Sequence, residues 1–161
     1  MNKFAKTAML AVVAMGMTAV PAYANNLSSP GAGTTVNASG SISVNIFGLG
    51  ARTCAVTMTG TVTSATPGVI TFTSGTATGT GCTSSGTGSV AYPIVVRATS
   101  QTVVTVDTLS IATPLGTCTK NNVAFNWNNS TSTATSGSQS VGICTMSSAT
   151  LSVSPAVVIA P

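Results

Sequence analysis

Cysteine is the one residue type in this chain with the number and spacing to do chemistry. Cys54, Cys82, Cys118 and Cys144 stand at least 26 residues apart, and the 161-residue sequence contains no histidine. A soft-metal site needs ligands at close spacing, usually with histidine, so chelation is not expected. A catalytic redox pair needs an arrangement such as Cys-x-x-Cys, which is also missing. Structural disulfides remain. Four cysteines allow three connectivities. Cys54–Cys82 with Cys118–Cys144 is the expected one, because each closes a loop of fewer than 30 residues around its own strands.

Acid–base chemistry has almost nothing to work with. The chain carries five Lys and Arg residues and one acidic residue, Asp107. Paired carboxylates, a Ser-His-Asp set and a hard-metal cluster are all excluded by composition, so a protein that is not an enzyme and needs no cofactor or metal is expected. Arg97 and Asp107 could form a ligand-orienting or interface pair; ordinary exposed charges that keep strand edges soluble are the preferred reading. Trp127 with Phe125 could anchor an apolar ligand or partner. An alternating Val-Phe-Trp strand points more readily into a core, and that placement is expected.

The positions of these residues depend on what the rest of the chain can fold into. Only 4% of residues are charged, against roughly 25% in an ordinary soluble domain. Thr (29) and Ser (21) far outnumber the seven aromatics. Met1–Ala24 reads as a secretory signal peptide: Lys3 and Lys6, an apolar run through Val20, then Pro21 and Ala22-Tyr23-Ala24. The run is too short to span a bilayer. Residues 25–161 are expected as a single secreted β domain, leaving no transmembrane span in the mature chain. That part keeps Arg52, Arg97, Lys120 and Asp107, a net charge of +2. Three scattered cations make no nucleic-acid face. So little charge also means weak colloidal repulsion, which favours self-association or adsorption. An even cysteine count behind a signal peptide implies an oxidising, extracellular or cell-surface location.

Hydrophobicity repeats with period two. Ile42, Val44 and Ile46 share one face; so do Cys54, Val56, Met58 and Val62; so do Ile70 and Phe72. Val90, Tyr92, Ile94 and Val96 repeat the scheme, with Pro93 marking an edge or bulge. Thr102–Ile111 is rich in β-branched residues, Val123, Phe125 and Trp127 alternate, and Ala149, Leu151 and Val153 close the series. These are half-buried strands, apolar inside and Ser/Thr outside. Turns are expected at Gly48-Leu49-Gly50, Gly79-Thr80-Gly81 and Ser85-Gly86-Thr87-Gly88. Seven to nine such strands suit an all-β fold, a single antiparallel β-sandwich or Greek-key barrel stapled by two disulfides. Residues 25–39 read as a flexible lead or a late-docking strand. Residues 128–140 read chiefly as a solvated polar loop, with an exposed hairpin as the alternative. The tail from Ser152 could pair with another subunit or close the protein's own sheet.

The layout resembles a bacterial family, the secreted alkane-oxidation activators of the PraB type. The resemblance rests on Ser29-Pro30-Gly31 leading to Val36-Asn37-Ala38-Ser39-Gly40, then Cys54-Ala55-Val56-Thr57-Met58-Thr59-Gly60. Gly116-Thr117-Cys118, Gly142-Ile143-Cys144-Thr145-Met146 and Leu151-Ser152-Val153-Ser154-Pro155 complete it. The region around Tyr92-Pro93 fits less well. The resemblance implies a small extracellular protein that promotes growth on alkanes and has no catalytic residues. An uncharged, hydroxyl-rich surface could work at an oil–water interface or the cell surface, since desolvating hydroxyls costs less than desolvating charges; hydrocarbon or cell-surface components are the expected partners. The alternative is a fimbrial, biofilm-matrix or adhesin subunit that polymerises by strand addition, with residues 25–39 as donor.

Overall fold

The structure is a computed structural model and describes residues 25–46, 48–82, 89–113 and 115–161. The signal-peptide reading and the turn at 85–88 lie outside them. Eleven strands occur among the described residues: β1 Asn26–Ser29, β2 Thr35–Ile46, β3 Gly50–Ser64, β4 Val69–Thr78, β5 Ile94–Ser100, β6 Val103–Thr113, β7 Gly116–Asn128, β8 Thr133–Ser136, β9 Gln139–Val141, β10 Cys144–Ser154 and β11 Val158–Ala160. The period-two pattern is the cause. In β3, Cys54, Val56, Met58 and Val62 are buried, while Thr53, Thr57, Thr59 and Thr63 between them face water.

The sheet order β2-β3-β4-β5-β6-β7-β8-β10 closes through a β10–β2 ladder, giving an eight-stranded antiparallel barrel. The expected all-β class and both disulfides are present, but the connectivity differs from a sandwich or a Greek key. Each stave pairs with the next along the chain, so the barrel is of the up-and-down kind. Even the longest link, from Gly79 to Pro93, rejoins beside the strand it left, because β5 pairs with β4. Bulges bend the staves round, as at Thr59/Gly60 in the β3–β4 ladder and Met146/Ser148 in the β10–β2 ladder. Gly60 sits where β3 meets the β4 backbone at Thr71 too closely for any side chain.

One segment takes the strand form that is one of its two readings, and another folds otherwise than expected. Residues 25–39 divide into β1 and the start of β2. Residues 128–140 are mostly barrel wall: β8 lies between β7 and β10 with Ala134 buried, and β9 continues along the same edge of β10. The alternation there is carried by Thr and Ala, too weakly apolar to stand out from a polar loop. The tail closes on its own molecule, β11 pairing with β1.

The two ends of the barrel are secured differently. At one end lie both disulfides, Cys54–Cys82 and Cys118–Cys144. Loops of 28 and 26 residues correspond to roughly 3–4 kcal/mol of stabilisation each in the chain-entropy picture. At the other end the β1–β11 ribbon crosses the mouth and presents Leu27, Val157 and Ile159 to the interior.

Candidate functional site

The barrel interior is the site the fold builds. Staves supply inward aliphatic and aromatic side chains from every side, and these leave a cavity of about 70 Å³ between the ribbon and mid-barrel. Every lining residue is apolar or glycine. Trp127 contributes its ring, and its indole Nε1 donates to Asn129 Oδ1 at 2.8 Å. Phe125 sits beside it in the same strand, buried. The expected core placement of both aromatics holds, and both also form cavity wall. At about 24 cal/mol per Å³, the unfilled volume forgoes roughly 2 kcal/mol of packing.

The floor of this cavity is a hydrogen-bonded clamp. Asn129 Oδ1 accepts from Ile159 N–H at 2.8 Å while its Nδ2 donates to Ile159 O at 3.0 Å, so one amide side chain takes the place of a neighbouring strand. Ser132, only 3% exposed, does the same for Val157: its Oγ accepts from Val157 N–H at 2.9 Å and donates to Val157 O at 3.1 Å. On the opposite rim, Leu27 N–H donates to Ala65 O and Gly68 N–H to Asn25 O, both at 2.9 Å. Sequence reasoning passed over Asn129 and Ser132, which lie in the polar stretch read as a loop. Nothing local marks them, since their partners are 30 and 25 residues away.

The barrel wall has a seam. The β4–β5 ladder runs only from Val69/Arg97 to Phe72/Ile94. Beyond it the chain from Ser89 pairs with β6, through Ala91 N–H to Ser110 O and Ala112 N–H to Ser89 O. Tyr92 bridges the gap towards β4, its ring lying over Gly75 where a Cβ would collide with the phenol oxygen. A void of about 10 Å³ lies under it, and another of about 20 Å³ lies towards the stapled end, against Arg52 and Gly81. Both share Val56 and Val90 with the main cavity. Burial raises the Tyr92 phenol above its ordinary value. The strand predicted through Val90, Tyr92, Ile94 and Val96 is interrupted here: β5 starts at Ile94, and Val90 forms an isolated bridge to Ile111.

The outer wall is polar and almost uncharged. Hydroxyl pairs span adjacent staves, as in Thr57–Thr76 at 2.7 Å and Ser43–Thr53 at 2.9 Å. Arg97 Nε donates to both Asp107 carboxylate oxygens, at 2.8 and 2.9 Å. The two form a cross-strand ion pair, 51% and 34% exposed, and line none of the three cavities described above. The carboxylate holds the guanidinium in its charged form. Leu115 and Ile143, 55% and 57% exposed, project from turns at the stapled end. No group of three His, Cys, Asp or Glu that could hold a metal occurs among the described residues.

Polar outside and apolar inside is the reverse of a transmembrane barrel, which turns apolar side chains to lipid. The fold and its interior define the class of small up-and-down barrels, whose interiors are filled by side chains or hold one small ligand. Within that class, the chain belongs to the PraA/PraB-like family of alkane oxidation protein activators, which it matches over residues 1–161. A search of curated proteins finds no match, and neither does a search of solved structures.

Proposed function

We propose that this protein is exported and acts outside the cell as a non-enzymatic activator of alkane use, at the cell surface or the oil–water interface. The observation that carries the reading is membership of the alkane oxidation activator family along the whole sequence. Three features support the interfacial part. The outer wall offers hydroxyls in place of charges, so its contact with oil carries a small desolvation penalty. Leu115 and Ile143 stand exposed at one end, ready to meet an apolar phase. The paired cysteines suit an oxidising compartment.

The test is growth of a deletion strain on hexadecane and on succinate, with the gene restored as control. A defect confined to hexadecane and cured by the restored gene is expected. Equal growth on both carbon sources removes the reading.

A further inference from the structure

We propose that the barrel interior is a binding site for the terminal segment of a neutral saturated hydrocarbon, about three carbons deep. This deepens the function proposed above and rests on it for biological meaning, but the argument is chemical. A pocket usually mixes an apolar lining with a few polar groups that fix the ligand's orientation. This one has none: its lining residues are apolar or glycine, and the indole N–H is engaged by Asn129. An amphiphile would therefore leave its head group without a partner, and a buried carboxylate without a cation is strongly disfavoured. A hydrocarbon has no such group to satisfy.

Size points the same way. A dry apolar cavity of about 150 Å³ holds benzene, roughly 25 Å³ for each carbon. The main cavity of about 70 Å³ then takes about three carbons, the rest of a longer chain being left towards the entrance. Water is a poor occupant because it finds no hydrogen-bond partner there. The way in is the seam between β4 and the Ser89–Tyr92 segment. The ladder is missing there, Tyr92 covers the gap over Gly75, and the void beneath it is separated from the main cavity only by the side chains of Val56 and Val90, which line both. At the far end the ribbon is held by hydrogen bonds on both rims and acts as a floor.

The chain's one tryptophan lines the cavity and reports on it directly. The purified, disulfide-bonded protein is titrated with 1-bromohexane, whose heavy atom quenches an indole in contact with it. Saturable quenching is expected, with n-hexane competing and hexanoate at pH 7 competing at least about a hundredfold more weakly. Ala134→Leu and Ala38→Leu, which fill the cavity from different staves, should each abolish saturable quenching while circular dichroism stays unchanged. Tyr92→Ala should speed the onset of quenching severalfold. Quenching that rises without saturation, or that survives both leucine variants, overturns the proposal. So does hexanoate competing as well as hexane, and loss of that competition in Arg52→Ala would assign the carboxylate to the stapled mouth. A growth defect on hexadecane without saturable binding removes the interior site and leaves the activator function standing. Saturable binding without a growth defect supports the site and removes that function.

Discussion

Tyr92 shows how much one side chain can depend on a glycine elsewhere in the chain. Its phenol lies against Gly75, in space that any larger residue would occupy. Burial raises its pKa above the ordinary 10.0, so the folded state holds the phenolic proton more tightly than the unfolded chain does. The sign follows: this contribution to stability is complete below about pH 10 and is lost as pH rises through the folded-state value. Thermal unfolding followed from pH 8 to 11 should show a falling midpoint in the parent protein, and a flatter profile in Tyr92→Phe. Identical slopes would mean that the phenol is as well solvated in the folded chain as in the unfolded one. Arg97 and Asp107 are a contrasting case. They are the most chemically distinctive pair in the sequence, yet their pairing is exposed to solvent and screened, and it shapes no site.

At the scale of elements, the β1–β11 ribbon is the part whose role is least evident from its composition. Four of its seven residues are small or polar, and two short strands alone are marginal in water. What holds it is the turn between β7 and β8, where Asn129 and Ser132 bond the backbone of Ile159 and Val157 as a neighbouring strand would. Asn129→Ala and Ser132→Ala should each cost about 1–3 kcal/mol, because each leaves backbone groups of the buried tail without a partner. Urea unfolding measures the loss. The double variant should also bind the dye ANS through an opened floor, whereas a destabilised variant that excludes the dye would show that the ribbon is held chiefly by Leu27, Val157 and Ile159. The same pairing bears on the polymer alternative: β1 is engaged with the chain's own tail, and a closed barrel offers little edge for strand addition.

The whole molecule inverts the usual division of labour on a protein surface. Solubility ordinarily rests on charge. Here hydroxyl ladders cover the wall, and only one ion pair occurs among the described residues. Such a surface gives up little hydration free energy on meeting oil. The purified protein should therefore lower hexadecane–water interfacial tension further than a charged barrel of equal size at the same concentration. Replacing Leu115 and Ile143 together by lysine should remove much of the difference without changing the melting temperature. Equal tension for both proteins would locate the activity in the interior and away from the surface.

Much of this molecule is local. Period-two alternation of Val and Ile with Thr and Ser dictates strands with one apolar face, because successive side chains on extended backbone point to opposite sides. Cysteines within one or two strands of each other are likewise expected to pair, as Cys54–Cys82 and Cys118–Cys144 do. Closure is different. The sheet becomes a barrel through β2 and β10, which pair residues as distant as Asn37 and Ser154, and through a stave whose one buried apolar side chain is Ala134. No short window of sequence carries that information, since alternation says which face is inward but not which strand lies alongside. The cavity depends on closure in turn: it is the volume left when inward side chains from eight staves and a ribbon fail to meet, a quantity set by bulges, tilt and register together.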